Sequence, residues 1–469
     1  METEAVRPDR GVRAMLFLLV WLSVAWFGSW ELNPNNAVRM FAAVSLVEQG
    51  DATIDEFAGL TIDKATFGAH TYSDKAPGMT LLAVPAVALA TWATGTTSAD
   101  HGLSPYDPGF ARFLRLRQRM AVALGPALLA GLAAVLLYDI GLASTGVRGA
   151  ALFGAVGTML GTPLWGWSTT VTGHAAVAAL YLVAIRNFLS PPGTRAALLG
   201  GVALGLAAVV EYQAVIAGSV IAGWAAWRWR DTAEGRRAIA LAAAAGLAGL
   251  MPLLSYNLLA FGTPFRIGYS GVEGFDGMKQ GLFGLGWPRI AVLVEILVGD
   301  RRGLFWVAPV LLVAPLGLAS LGDRPRTRSL AVMAALAAAA VLLVNAAYVY
   351  WDGGNSTGPR HAMPAAALLG IGLAPWWAGL RTAWERWGVA ALLALSVAIN
   401  AAIAAADVFA PPEYRYPFWR YVMKQWFLRG DLRTWPSEWL GWTAWHGFAL
   451  YLAVAVPLGM WLVRRVARY

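Results

Sequence analysis

The chain of 469 residues has no cysteine, only five histidines, and charged side chains at just 13% of its positions. Each scarcity excludes something. Without cysteine there are no disulfides, no thiolate metal centres and no cysteine nucleophile. Soluble domains carry about 25% charged residues, so this chain has too few to clothe a water-facing surface. Three motifs of soluble enzymes are also missing. There is no Walker A loop, no His-Glu-x-x-His pair and no Gly-x-Ser-x-Gly elbow, so chemistry driven by cytosolic nucleotide is not indicated.

What is abundant is apolar. Hydrophobic residues make up 58% of the chain, with 23 Trp and 51 Gly, and the mean hydropathy is +0.55. Apolar runs of about 17–25 residues, long enough to span a bilayer, recur from end to end. Backbone polar groups inside a bilayer need internal partners, which dictates helices. The expected fold class is all-α and polytopic, with residues 1–469 forming one integral membrane domain of about 12 transmembrane helices. The net charge of +9 comes from arginines clustered in short loops, as the positive-inside rule requires. No soluble basic domain exists to bind nucleic acid.

The first helix is expected over residues 14–30, with Arg10 and Arg13 holding its start in the cytoplasm. No small-residue cleavage site follows, so it reads as a retained helix. Residues 31–77 then form the first extracytoplasmic loop. It carries seven acidic residues (Glu31, Glu48, Asp51, Asp55, Glu56, Asp63, Asp74) against three basic ones (Arg39, Lys64, Lys75). Inside it, "NNAVRMFAAVSLVEQG" has helical, amphipathic spacing with Gly50 as a stop, and predicts a helix lying along the membrane surface. "LTIDKATFGAHTYSDK" alternates and turns at Phe67-Gly68-Ala69. It predicts a short hairpin with one Asp-Lys pair on each arm.

Two threadings of the next stretch end with Phe261 outside. In one, residues 78–94 span the membrane and 196–227 form a single long helix. In the other, 78–94 lie at the outer surface and 196–227 are two short spans broken near Glu211. Arg112, Arg115, Arg117 and Arg119 favour the first by charge counting. Further extracytoplasmic segments are expected at 261–302, 351–364 and 409–442, the last rich in Trp, Tyr and Arg as suits a bilayer interface. Both termini are expected in the cytoplasm.

The unusual polar residues therefore gather on one side. Glu31 directly follows the first apolar helix, which gives it the fixed placement that catalysis needs. "WDGGNSTGPRHAMP" is a tight glycine loop where backbone can approach a ligand and Arg360 can meet a phosphate. Glu211 lies within an apolar run, where a carboxylate is a functional candidate or the cap of a broken helix. The acidic loop could hold a divalent cation, although it shows no compact ligand set.

The layout resembles the GT-C-fold glycosyltransferases, which include aminoarabinose, protein O-mannosyl and arabinofuranosyl transferases. "TYSDKAPGMTLLAVP", "YNLLAFGTPFRIGY", "GLFGLGWPRI" with "RRGLFWVAP", and "WDGGNSTGPRHAMP" look like a bacterial branch of that superfamily. The resemblance implies a GT-C-like fold in the bacterial cytoplasmic membrane. It also implies sugar transfer on the extracytoplasmic face, from a polyprenyl-phosphate donor to an envelope glycan or glycolipid. Mapped here, the base is Glu31, with Asp74 as its rival, since Glu31 is followed by Leu32 and an Asn cluster rather than a second acid. Lys75, Arg360 and Arg266 would hold the donor phosphate. Arg39, Asn35, Tyr72, His174, Tyr269, Asn355 and His361 would line the substrate site. In this superfamily the position of His174 tends to be external, which favours the second threading. The rival function is a transporter or flippase of a lipid-linked glycan. Its signature would be internal repeats and mid-membrane charges.

Overall fold

The computed structural model describes residues 9–28 and 30–468. Residues 1–8 of the expected cytoplasmic start, and Ser29 within the expected first helix, lie outside them. Helix α1, Arg10–Trp26, is capped by Asp9, whose carboxylate accepts from the Gly11 and Val12 amides. It ends before the expected boundary at residue 30. Helix α2, Pro34–Glu48, starts at an Asn33 cap with Pro at its first turn. It is present where expected but is not a surface helix. Residues Asn36 to Ser45 are all buried, because later parts of the chain cover it. Phe41 stacks on Phe57 at 4.7 Å and on Phe110 at 6.4 Å. The expected hairpin is formed by β1, Lys64–Phe67, and β2, His70–Ser73, paired antiparallel from Lys64–Ser73 to Phe67–His70.

Helices α3, Gly78–Thr94, α4, Pro108–Leu124, and α5, Pro126–Thr145, follow. Arg13, near the start of α1, pairs with Asp139 late in α5 at 3.0 Å. Arg115 and Arg119 meet the other end of α1, donating to Glu31 and to the Trp26 carbonyl. The arginines of α4 thus lie at the end of α1 opposite Arg13. Gly78 packs against Val210 and Leu82 against Gly125, which keeps α3 at that same level. This packing fits the threading in which 78–94 do not cross better than the one in which they do. Arg115 and Arg119 are neutralised by Glu31 and Glu438 and packed in protein, so they are not free loop charges to be counted for the other.

The chain continues through α6, Arg148–Met159, α7, Leu164–Ser168, α8, Gly173–Phe188, α9, Thr194–Val210, α10, Ala214–Trp229, α11, Ala233–Gly249, and α12, Met251–Phe261. Glu211 adopts extended backbone, φ −147° and ψ 121°, and breaks 196–227 into α9 and α10. Residues 262–289 are short turns with three isolated bridges, Ala65–Val272, Leu282–Leu285 and Leu285–Tyr348. The second half holds α13, Ile290–Val298, α14, Leu304–Val307, α15, Ala314–Gly322, α16, Arg328–Ala347, α17, Met363–Gly370, α18, Leu373–Gly379, α19, Ala383–Ala405, α20, Trp435–Trp439, and α21, Ala444–Ala467.

Among the described residues, 6 helical stretches are long and apolar enough to cross a bilayer, and several shorter apolar helices accompany them. The protein is an integral membrane protein. Outward-facing Leu336, Leu395 and Val456 are about half exposed, as lipid-facing side chains should be. Lipid tails give helices no hydrophobic reason to associate, so small residues that permit close approach do that work. The α9–α11 contact shows this. A Cβ on Gly201 would collide with the Ala242 carbonyl, and one on Gly205 with the Gly246 carbonyl and the Gly249 backbone. Gly205→Leu is therefore expected to destabilise the fold by about 1–3 kcal/mol or more. A thermal melt in detergent checks this, with Gly223→Leu, which meets open space on α10, leaving the midpoint near that of the parent.

Candidate active site

A break in a buried helix pair leaves backbone and side chain to be satisfied, and Glu211 shows how. Its carboxylate is 5% exposed. Its Oε1 accepts from Arg39 Nη2 at 3.3 Å, and His174 Nδ1 stands 4.0 Å away. Arg39 comes from the middle of α2. Its Nη1 also donates to Asn35, to the carbonyl at 2.7 Å and to Oδ1 at 2.6 Å. The early loop and the α9–α10 break are thereby joined, and a cavity of about 650 Å³ lies over the junction.

Two further groups complete its polar floor. The hairpin's exit arm places Lys75 Nζ 2.7 Å from Asp74 Oδ2 and 3.4 Å from Asp63 Oδ1. The other Asp74 oxygen is buried without a hydrogen-bond partner. Burial pushes the Asp74 carboxyl above the usual range, and the nearby Asp63 charge adds to this, outweighing Lys75. For Lys75, burial acts to lower the pKa, but Asp63 and Asp74 together outweigh it and hold the ammonium above its usual value. Arg360, at the mouth of α17, also lines the cavity. It makes no ion pair or hydrogen bond among the described residues, and its guanidinium lies over the Trp167 ring at 5.9 Å. His361 stands edge-on to His174, ring centres 4.8 Å apart, with both ring nitrogens unpartnered.

The roof is apolar. Residues 262–289 supply Ile267, Tyr269, Phe275 and Phe283, and Tyr348 and Tyr350 follow from the end of α16. Phe283 holds a left-handed backbone, φ 52°, which is uncommon for a bulky residue, and its ring packs on Tyr269 at 6.0 Å.

Of the expected site residues, Asp74, Lys75 and Arg360 line this cavity together with Arg39, Asn35, His174, Tyr269, Asn355 and His361. Three do not. Glu31 is turned away, and the expectation that it shares a cavity with Asp74 is corrected. Its Oε1 takes two bonds from Arg115, from Nε at 2.9 Å and Nη2 at 2.7 Å, because α1 ends early and the following turn aims the carboxylate at α4. Arg266 is exposed and lies over the Phe67 ring at 5.4 Å. Tyr72 is buried behind the floor, against Phe261 at 5.2 Å.

Sequence reasoning left out Asp63, Gln213 and, Tyr269 apart, the roof. Glu211 carried a signal, an ionisable residue in an apolar run, which left it open between a functional carboxylate and a helix cap. The other roof residues carried none, because an irregular loop has no periodicity to read. Among the described residues, no three His, Cys, Asp or Glu side chains converge as a metal site. Asp63 and Asp74 are both turned onto Lys75, so the site does not fit a divalent cation.

No family model and no curated protein sequence matches the chain. Solved structures do. ArnT from Cupriavidus metallidurans bound to undecaprenyl phosphate matches with a TM-score of 0.56 and 16% identity, over 97% of this chain and 73% of that one. The same protein in the apo state gives 0.48 and 14%, over 97% and 76%. The chain has the ArnT-like GT-C fold. The first of these likenesses carries that statement, and it is a likeness of fold.

The placement of Glu31 yields a prediction. Glu31→Gln leaves the Arg115 guanidinium, itself partly exposed, short of its counter-ion, and should cost about 1–3 kcal/mol of stability. Any turnover by the folded fraction should stay within roughly threefold of the parent. Thermal melts and rates normalised to folded protein check both. A well-folded Glu31→Gln that has lost its activity would return the base to Glu31.

Proposed function

We propose that this protein is an integral membrane glycosyltransferase. It moves a sugar from a polyprenyl-phosphate donor to an envelope glycan or glycolipid, at the extracytoplasmic face of a bacterial cytoplasmic membrane. The chain makes about twelve crossings, with both termini in the cytoplasm. The observation that carries this reading is Arg360, a cavity-lining guanidinium over the Trp167 ring with no hydrogen bond or ion pair among the described residues. It shares one cavity with Lys75 and Asp74, in a fold like that of an ArnT structure bound to undecaprenyl phosphate.

The chemistry follows from the charges. Asp74, through its unpartnered oxygen, takes the proton of the acceptor hydroxyl. The acceptor oxygen forms its bond to the anomeric carbon as the bond from that carbon to the phosphate oxygen breaks. The lipid phosphate leaves with the electron pair, and the sugar is inverted. Negative charge builds on the departing phosphate, where Arg360 and Lys75 stabilise it strongly in a partly dry cavity. Lys75 also holds Asp74 in place. His174, His361, Asn355, Tyr269 and the Arg39–Asn35 pair supply hydrogen-bonding groups for the sugars. The apolar roof faces the first part of the lipid.

Purified protein incubated with polyprenyl-phosphate sugars and envelope acceptors should release free polyprenyl phosphate. Asp74→Asn should slow release by about 10²–10⁴-fold, the usual contribution of a general base. The base must be ionised to act. Because Asp74 is raised above the usual carboxylate range, the rate should fall as pH is lowered through that raised value, and the fall should begin at a higher pH than an ordinary aspartate would give. Glycan crossing vesicles with no sugar transfer, and with Asp74→Asn unaffected, would instead establish a transporter.

A further inference from the structure

The mechanism above gives Arg360 its charge but not its aim. A long guanidinium side chain with no hydrogen-bond partner should wander among rotamers, and catalysis tolerates little of that, since a misplacement of about 1 Å can cost 10²-fold. The surrounding loop shows what restrains it. Gly353 has φ 72°, and a Cβ built there would stand 2.8 Å from Arg360 Nε and 2.9 Å from its Cγ. The side chain is therefore laid flat against a bare backbone, with the Trp167 ring 5.9 Å from its guanidinium.

That stretch of backbone is itself clamped. Arg302, fully buried, donates from Nε to the Asp352 carbonyl at 2.8 Å and from Nη2 to the Gly354 carbonyl at 2.7 Å. The two carbonyls flank Gly353. Asp352 closes the loop from the other side, accepting from the Gly354 amide at 3.1 Å and meeting Arg301 at 3.4 Å. Only a planar fork can reach both carbonyls at once. The neighbouring glycine is a natural contrast. Gly354 is also left-handed, φ 61°, but a Cβ there meets nothing within 4 Å.

We infer that Arg302 and the Asp352–Gly354 loop form a seat that aims the Arg360 guanidinium at a lipid-linked phosphate. Arg302 is then a positioning residue that never touches the substrate. This rests on the reading of Arg360 as the phosphate ligand. The "RRGLFWVAP" and "WDGGNSTGPRH" phrases, distant in sequence, become two halves of one device.

Binding of undecaprenyl phosphate to the full-length protein in detergent tests the inference, with a thermal melt run alongside. Gly353→Ala should weaken binding by roughly tenfold or more, by pushing the guanidinium off its seat, whereas Gly354→Ala, with the same backbone conformation, should weaken it by less than about threefold. Arg302→Lys, which cannot span both carbonyls, should reproduce the Gly353→Ala effect without touching the ligand. In an Arg360→Ala background neither change should weaken binding further. If Gly353→Ala and Gly354→Ala weaken binding equally, or if the Gly353→Ala loss persists in the Arg360→Ala background, the seat is refuted while the phosphate role of Arg360 stands. If Arg360→Ala alone leaves binding unchanged, the phosphate reading itself falls, and the seat with it.

Discussion

One buried ion pair organises the cavity end of this protein. Arg39 and Glu211 are 172 residues apart and meet at 3.3 Å with side chains 2% and 7% exposed. Neither charge could be left alone there, because an isolated buried ion costs several kcal/mol even after the protein relaxes. The pairing therefore constrains everything around it. α2 must be drawn down into the protein, which explains why its amphipathic sequence is buried on nearly every side. α9 and α10 must part at Glu211, because an unbroken helix would give its carboxylate no reason to face α2. The cavity is what remains above that junction.

The same logic sorts the other charges. Lys75 is shared by Asp63 and Asp74. Glu211 is answered by Arg39, and Asp352 by Arg301. Among the described residues, Arg360 is the cavity-lining cation that forms no ion pair. Protein interiors do not leave a guanidinium in that condition for stability, since a buried polar group without a partner is a cost. A cost maintained in a cavity is best explained by a ligand that removes it. A phosphate does so with the right sign and geometry, because a guanidinium offers paired donors to its oxygens. The apolar roof then fits an amphiphile whose anionic head reaches the floor while its chain stays dry.

Much of this was legible in the residues, and the pattern of success follows physical range. Composition alone demands membrane helices, because it acts through the solvent and needs no geometry. The β1–β2 hairpin was legible because alternation and a Gly turn are local. The Asp74-Lys75 pair and Arg360 were legible as candidates, since charges beside apolar runs are conspicuous, and they line one cavity. Glu31 does not face the cavity, because a residue fixed at a helix end need not point towards it. The direction it faces depends on where α1 stops and on Arg115, 84 residues away. Apart from Tyr269, the roof from Ile267 to Phe283 was illegible because its residues carry no period. Its assembly depends on contacts such as Tyr212 against Tyr269 at 5.1 Å.

The two arginine sets show why counting charges is weaker than pairing them. In the turn between α10 and α11, Arg230, Arg236 and Arg237 are exposed, the placement that the positive-inside rule counts. In α4 the arginines serve a different purpose. Arg119 donates to Glu438 at 2.7 and 2.9 Å, and Arg112 lies over the Trp439 ring at 5.3 Å. They tie the segment after α19 to the turn beside α1. A basic residue that has acquired an acidic partner across the fold contributes little net charge to its leaflet, and so carries no topological vote. Only arginines without such partners should be counted, and which those are is decided by tertiary structure.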